Sequence, residues 1–132
     1  MEQIEIQNLH YEIGNKVILK DISLTLGGHE FVGLIGPNGC GKSTLLKHLY
    51  RVNHIQSGNI LFDGIPLDEV PLRTAAQKIA VMGQFTRLDF DFSVLEITLM
   101  GRTPYKRSFS DDTEQDYVLA EDALCKVGMW HA

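Results

Sequence analysis

Two stretches near the N-terminus alternate between apolar and polar residues and so predict β-strands. Residues 3–9 and 17–26 both follow a period of two, which is typical of strands with one buried face. Gly14 and Asn15 stand between the two stretches, and this pair favours a tight turn. The pattern therefore predicts an antiparallel hairpin.

The next apolar segment, residues 31–35, is unbroken and does not alternate. A short run of this kind predicts a strand buried on both faces, as in a parallel sheet. From Lys42 onward the period changes to that of an amphipathic helix. Its predicted apolar face comprises Leu45, Leu46, Leu49 and Val52, and its predicted polar face comprises Lys47, His48 and Arg51.

The middle of the chain predicts two more strands with a short helix between them. Residues 58–64 and 78–82 are short apolar segments that predict strands. Residues 71–77 predict the helix, since Pro71 suits a first helical turn.

The last third of the chain predicts two helices separated by a turn. Residues 93–100 predict a helix with Ser93 as its N-cap and Glu96 completing a capping box. A proline turn at residues 102–105 ends it. The last helix is predicted to begin near residue 111 and to end at Gly128 as C-cap. Its predicted apolar stripe comprises Tyr117, Ala120, Leu124 and Val127.

The stretch GPNGCGKST, residues 36–44, is the strongest candidate for a functional site. It fits the pattern G-x-x-x-x-G-K-[ST], and it lies after a predicted buried strand and at the start of a predicted helix. Its three glycines let successive N–H groups point into one nest, and the helix adds its positive dipole end. Lys42 would then contact the β- and γ-phosphates of a nucleotide, and the Ser43 hydroxyl would bind Mg²⁺. The alternative is a glycine-rich turn that caps a helix.

Composition and charge argue against several other classes of protein. The 132 residues are 44% hydrophobic and 22% charged, which is a globular composition. A net charge of −5 argues against a nucleic-acid footprint and against a polybasic membrane anchor. The sequence contains no run of about 18 apolar residues, so it predicts no membrane-spanning helix. Cys40 and Cys125 are far apart, and the histidines lack metal-ligand spacing, so we expect free thiols and no metal cage.

The stretch 36–44 and the segments on either side of it resemble the sequences of the ATP-binding subunits of ABC transporters. Tyr11, followed by Gly14 and the apolar residues 17–19, resembles the family's adenine-stacking segment. The alternative is an ordinary aromatic residue of an edge strand. Residues 81–84 resemble the strand that leads into the family's Q-loop, which would make Gln84 a ligand of Mg²⁺ or of the attacking water.

The resemblance implies a set of site residues. The ATP-binding residues would be Tyr11, Gly36, Pro37, Asn38, Gly39, Cys40, Gly41, Lys42, Ser43 and Thr44. Lys42 and Gln84 would act in catalysis, and Ser43 and Gln84 would bind Mg²⁺. Cys40 occupies a variable position of the pattern. Its side chain is interpreted as a small group that fills space rather than as a nucleophile.

Residues 93–105 narrow the resemblance to importers for iron–siderophore complexes, haem and vitamin B12. The helical subdomain of those importers begins with a comparable Gly-Arg-x-Pro-aromatic turn, here Gly101 to Tyr105. Other metal importers and less related members of the family stay open as alternatives. The implied partners are transmembrane permease subunits, faced by residues 85–107, and a second ATP-binding subunit in a homodimer. The implied location is cytoplasmic and peripheral on the inner face of the cell membrane, with no membrane insertion and no nucleic acid.

The implied fold class is α/β. It is a partial P-loop NTPase core with a mixed or parallel sheet, an N-terminal antiparallel β flank and the start of a helical subdomain. We predict one partial ATP-binding domain over residues 1–132. The core and flank would occupy residues 1–85, and the helical subdomain would begin in residues 86–132.

The chain also departs from the family. It contains no LSGGQ-like signature, no apolar strand that ends in Asp-Glu, and no switch histidine after such a strand. The resemblance therefore covers about the first half of a family member, and we expect this chain alone to bind ATP without useful turnover. The alternatives are a non-hydrolysing nucleotide-binding fragment or interaction module and, less favoured, a P-loop kinase or GTPase.

Overall fold

The helices and strands follow the predicted order closely, with two exceptions among the strands. The computed structural model describes residues 3–83, 91–107 and 110–131. The elements are β1 (Ile4–Ile13), β2 (Lys16–Leu26), α1 (Lys42–Leu49), β3 (Ser57–Phe62), β4 (Ile65–Pro66), α2 (Leu72–Lys78), α3 (Val94–Met100) and α4 (Glu114–Lys126), with one turn of 3-10 helix at Thr103–Tyr105.

The chain divides into two compact units, Met1–Pro71 and Leu72–Ala132. The subdomain boundary predicted at residues 85–86 lies outside the described residues. Within the described ranges, no helix is both long enough and apolar enough to cross a bilayer.

The first unit is built on a four-stranded antiparallel sheet in the order β2-β1-β3-β4. The predicted hairpin of β1 and β2 is confirmed, and Gly14 takes a positive φ of 59° in its turn. Side chains from the central strands form the core together with α1. The buried apolar residues of this unit are Ile6, Leu9, Leu19, Leu45, Ile60, Phe62, Leu67 and Val70.

A bulge in β1 decides which of its side chains are buried. Strict alternation from Ile6 would place Leu9 on the opposite face of the sheet. The pairing register shifts between these two residues, and Asn8 between them has a φ of 49°. The Ser23 hydroxyl accepts the Asn8 N–H at 2.8 Å, so the bulge leaves this donor paired. The extra residue lets both Ile6 and Leu9 be buried, at 2% and 0% exposure.

Two predicted strands are not strands in the structure. The strands predicted at residues 31–35 and 78–82 have no strand pairing, and Lys78 is instead the last residue of α2. Among the apolar side chains of these segments, Phe31 is 102%, Ile35 95% and Met82 97% exposed. A strand exists only where a neighbour pairs with its backbone, and no parallel pair occurs among the described residues. The parallel part of the predicted sheet is therefore not confirmed, and the sheet found here is wholly antiparallel.

The second unit is helical in the part that the structure describes. Ser93 caps α3 through a capping box with Glu96, as the sequence predicted. Thr113 caps α4 through a second capping box with Asp116, so α4 begins a few residues after the predicted start. Of the predicted apolar stripe on α4, only Ala120 and Leu124 are buried, and they lie with Leu99 of α3 and Ala75 of α2 in the core of this unit.

The turn at residues 101–106 is held by side chains from α2 and α4. Arg73 donates to the Pro104 and Lys106 carbonyls, and the Gln77 side chain also donates to Pro104 O. The Tyr105 hydroxyl donates back to Gln77 O at 2.9 Å. A turn held by this many bonds to carbonyls is a rigid feature of the unit rather than a loose connection.

Arg102 joins this turn to the start of α4. Its guanidinium stacks 4.2 Å from the centre of the Tyr105 ring and donates to the Asp116 carboxylate at 2.8 Å. Asp116 also accepts the N–H and hydroxyl of Thr113, so one buried carboxylate serves both the ion pair and the helix cap. The Arg102 guanidinium first, and then the Thr113 donors, hold the pKa of Asp116 well below its usual range.

We predict that this carboxylate makes the stability of the protein depend on pH on the acid side. Because folding lowers the pKa of Asp116, its contribution is fully present above its ordinary pKa of about 3.9 and is lost as the pH falls below that value. Asp116→Asn should lower the urea midpoint of unfolding at about pH 7, and the gap from the parent should narrow toward about pH 3.

Asp122→Asn is the matched control for this measurement. Asp122 lies on the same helix and pairs with Lys126, but both side chains are exposed, and such pairs contribute little. If the difference in urea midpoint between Asp116→Asn and the parent stays constant with pH, the ionised Asp116 carboxylate is not the source of the pH dependence.

Candidate functional site

The phosphate-loop candidate, residues 36–44, connects the exposed segment 31–35 to α1. Gly41 is the N-cap of α1 with a φ of 96°, and the helix begins at Lys42 as predicted. No side chain caps this helix, and its first turn carries no acidic residue. The N–H groups of a first turn have no partner within the helix. This helix end therefore offers unpaired donors and a positive dipole end with no competing carboxylate in its own first turn.

One loop glycine, Gly41, is required by its close approach to β2. A Cβ at Gly41 would lie 2.8 Å from the Ile18 carbonyl oxygen of β2, and the residue already has a positive φ. A Cβ at Gly36 would lie 2.8 Å from the Cys40 sulfur, a side-chain atom that can rotate away. The close approach of the loop to β2 therefore depends on the absence of a side chain at Gly41.

Lys42 turns its ammonium group back over the loop. Its Nζ donates to the carbonyl oxygens of Gly36 and Pro37 at 2.8 and 2.7 Å and lies 3.7 Å from the Cys40 sulfur. The amine is thereby placed above the same backbone whose N–H groups form the candidate nest. This arrangement concentrates positive charge at one exposed point of the loop.

The other loop residues lie at the surface around the start of α1. Asn38 and Gly39 form an exposed turn, and the Cys40 N–H donates to Pro37 O at 3.4 Å. Ser43 is exposed in the first turn of α1, with Thr44 beside it. Cys40 is a free thiol, as predicted.

Tyr11 lies on β1, opposite Leu19 of β2, and its side chain is half-buried. Its ring meets the His48 ring edge to face, with the ring centres 4.6 Å apart and the planes at 76°. The structure therefore brings Tyr11 against the helix that the phosphate loop begins. Its packing on His48 was not foreseen from the sequence.

His48 was predicted on the polar face of α1, and this is wrong. The side chain is 1% exposed, while Leu46 and Val52 from the predicted apolar face are 47% and 63% exposed. The buried face of α1 consists of Leu45 and His48. Their i, i+3 spacing was the available signal, but the polarity of histidine outweighed it in the prediction.

The two nitrogens of His48 are in different situations. Nδ1 lies 2.8 Å from the Thr44 carbonyl oxygen, and because a carbonyl only accepts, Nδ1 carries the proton. Nε2 is buried and has no partner among the described residues. An unpaired buried polar atom costs about 1–3 kcal/mol, so this histidine is retained at a cost to stability.

An apolar cavity of about 310 Å³ lies beside the loop in the same unit. Its walls comprise Leu19, Ile22, Leu24, Leu34, Ile35, Cys40, Gly41, Lys42 and Leu45. Leu34 and Ile35 of the unpaired segment 31–35 are among its walls, and the mostly aliphatic lining suits packing rather than a polar ligand.

Gln84 and the whole segment 84–90 lie outside the described residues. The predicted role of Gln84 toward Mg²⁺ and water stays a prediction. Among the residues that the structure does describe, no group of three or more His, Cys, Asp or Glu side chains could hold a metal ion.

The sequence matches the family described as ABC transporter over residues 19–132. It is 41% identical over 111 residues to the hemin import ATP-binding protein of Pseudomonas fluorescens (strain Pf0-1), covering 84% of this chain and 44% of that protein. It is 38% identical over 117 residues to the hemin import ATP-binding protein of Escherichia coli O157:H7, covering 89% and 45%. The chain thus spans less than half the length of these curated relatives.

A solved structure agrees with the sequence matches. The fold superimposes with a TM-score of 0.73 and 26% identity on an ABC transporter assigned to the metal-chelate type, in an inward-facing conformation. The match covers 98% of this chain and 46% of the other. The matched part is an antiparallel sheet with several helices, and in length it corresponds to about half of an ATP-binding subunit.

Proposed function

This chain belongs to the ABC transporter family, and from that premise we propose that it forms the nucleotide-binding part of an ATP-dependent importer. In the whole protein, ATP binding and hydrolysis would drive the uptake of a substrate through a membrane permease. The observation that carries the proposal is the uncapped start of α1, with the Lys42 amine held over residues 36–44.

The loop would hold the phosphates of ATP through backbone donors and one lysine. The N–H groups of residues 36–44 and the first turn of α1 suit anionic oxygens, because no carboxylate stands in that turn. Lys42 would exchange its loop carbonyls for the β- and γ-phosphates, which bind an ammonium group more strongly. Gly41 lets the loop lie close to β2, because a side chain at this position would meet the Ile18 carbonyl oxygen.

The residues present also fit Mg²⁺ when ATP is bound. The Ser43 hydroxyl lies exposed in the first turn of α1, where it would be a ligand of Mg²⁺. Mg²⁺ would neutralise charge on the transferred phosphate. Gln84 would complete the site or orient the water, and we propose this role on the resemblance alone.

Tyr11 would contact the adenine base. Stacking of a base on an aromatic side chain contributes about 1–3 kcal/mol. The half-buried ring lies on β1 and is held against α1, so that one side chain would connect the base-binding part of the site to the helix of the phosphate loop.

Residues 31–35 would gain a partner in the whole protein. Their side chains are apolar and exposed here, with Phe31 at 102% and Ile35 at 95%. Five residues of this kind directly before a phosphate loop are typical of a buried parallel strand. We propose that the rest of the domain pairs with them and closes the cavity beside the loop, which gives the parallel core expected from the sequence.

The substrate would be a metal chelate, namely haem, an iron–siderophore complex or cobalamin. Support comes from the names of the two relatives, both hemin import ATP-binding proteins, and from the metal-chelate type of the solved structure. The braced turn at residues 101–106 is the feature of this chain that resembles that branch.

The proposed partners are the permease and a second copy of the subunit. Residues 85–107 would face the permease, and of these the described residues 91–107 contain the capped helix α3 and the braced turn. Two subunits would enclose two ATP molecules as a homodimer. The location would be the cytoplasm, at the inner face of the cell membrane.

Uptake in cells tests this proposal. The gene is replaced by one encoding Lys42→Ala, and uptake of labelled hemin, a ferric siderophore and cobalamin is measured. We expect uptake of one of these to fall to the level of a deletion strain, because phosphate binding is lost. Lys47→Ala, an exposed residue on the same helix, should leave uptake unchanged. Normal uptake of all three ligands in the Lys42→Ala strain would contradict the proposed importer.

A further inference from the structure

We propose that His48 is a positioning residue for the nucleotide base, because it holds the Tyr11 ring in place relative to the phosphate loop. The inference rests on the proposed function, in which Tyr11 contacts adenine. His48 was not among the residues that the sequence pattern assigned to the site.

The contact between the two rings is specific in geometry. Their centres are 4.6 Å apart and their planes are nearly perpendicular, which is the preferred edge-to-face arrangement of aromatic pairs. His48 is 1% exposed, so it cannot itself reach a ligand, whereas Tyr11 is half-buried and keeps part of its surface open. His48 therefore acts on a ligand only through Tyr11.

His48 is also fixed at its other end. Its Nδ1–H donates to the carbonyl of Thr44 at 2.8 Å, and Thr44 is the last residue of the phosphate loop. The hydrogen bond sets the rotation of the imidazole ring about its side-chain bonds. One side chain thus ties the ring that would hold the base to the backbone that would hold the phosphates.

Because Nε2 is unpaired, we infer that this position requires the flat shape of the imidazole ring rather than a hydrogen bond at Nε2. This nitrogen is buried without a partner among the described residues, which an aliphatic side chain on the same helix face would avoid. A flat ring anchored at Nδ1 gives Tyr11 a surface at a defined angle, which an aliphatic chain does not. The base and phosphate contacts are then expected to form at a fixed separation.

Two substitutions test the contribution of the His48 ring and that of its hydrogen bond independently. His48→Asn keeps a donor for the Thr44 carbonyl but removes the ring, and His48→Phe keeps the ring but removes the donor. Tyr11→Ala reports on the proposed adenine contact by itself. The exposed neighbour Lys47→Ala is the control for changes to α1. Thermal unfolding of each variant establishes that it is folded.

Binding of ATP and of inorganic tripolyphosphate is measured by calorimetry for every variant. Tyr11→Ala should weaken ATP roughly fivefold or more. His48→Asn should weaken ATP by about two- to tenfold and leave tripolyphosphate unchanged, since only the base contact is disturbed. His48→Phe should bind ATP nearly as the parent does. In the Tyr11→Ala background, His48→Asn should have no further effect on ATP.

Three results would overturn the inference. Equal losses for ATP and tripolyphosphate in His48→Asn would mean that His48 acts through the phosphate loop and not through Tyr11. Unchanged ATP binding in His48→Asn, in a protein where Tyr11→Ala weakens ATP, would show that Tyr11 needs no positioning. If Tyr11→Ala itself leaves ATP binding unchanged, the proposed adenine contact fails and the role of His48 fails with it.

Discussion

Lys42→Ala is expected to weaken ATP binding by well over tenfold. The substitution removes a charge-assisted contact to phosphate, and such bonds contribute about 1.5–3 kcal/mol each. It also removes the two hydrogen bonds that the amine makes to Gly36 O and Pro37 O, at 2.8 and 2.7 Å. Titration calorimetry with ATP would measure the loss directly.

Two further variants show whether this loss belongs to the phosphate lysine. Lys47→Ala removes the same charge from an exposed position five residues further along α1, so its affinity for ATP should match that of the parent. Lys42→Arg keeps the charge but replaces a compact ammonium with a wide planar group, and it should bind ATP less well than the parent. Equal ATP affinity in the parent and Lys42→Ala would show that Lys42 does not contact the phosphates.

Gly58→Ala is expected to destabilise the protein by about 4 kcal/mol or more, a loss at the extreme of single substitutions. Gly58 lies in β3 with a φ of 86°, and a Cβ there would lie 2.4 Å from Asn8 O and 2.5 Å from Gln7 O. Both oxygens belong to the backbone of β1 at its bulge. They cannot move aside without breaking the pairing of β1 with β3, because β1 is central in the sheet.

Gly64→Ala provides a closely matched control. Gly64 follows the same strand with a φ of 79°, but no atom lies within 4 Å of its Cβ position. Its substitution should cost only the strain of a left-handed alanine, about 1–2 kcal/mol. Urea unfolding of the two variants measures the difference. If both variants lose the same free energy of unfolding, the steric overlap of the added methyl group with β1 must be relieved at little cost, which would contradict the prediction for Gly58→Ala.

Local features were predicted well because a few neighbouring residues determine them. The hairpin of β1 and β2 depends on alternation and on the turn at Gly14. The capping box of Ser93 and Glu96 and the end of α4 each involve residues within about one turn of helix. The C-cap of α4 is Val127, however, and the predicted C-cap Gly128 is the residue that follows it. In α4 the Met129 N–H bonds to Leu124 O and the Gly128 N–H to Cys125 O, which is the expected pattern around a left-handed glycine.

Predictions that needed a distant partner were less successful. The apolar character of residues 31–35 indicated burial, but a strand requires another backbone beside it, and none pairs with this segment among the described residues. Asp116 was placed in the last helix without its partner Arg102, since 14 positions separate the two. Gly58 was read only as the start of a strand, because the bulge that requires it lies in β1.

The amino-acid sequence by itself determined the candidate phosphate loop and the family, because the pattern of residues 36–44 specifies its own turn and helix start. Only the tertiary structure decided that His48 is buried against Tyr11 and that Arg102 holds Asp116. The same holds for β1, whose bulge leaves room for no side chain at Gly58. The physical reason is that burial and pairing depend on atoms brought from elsewhere in the chain, whereas a cap or a phosphate loop is made from neighbours in sequence.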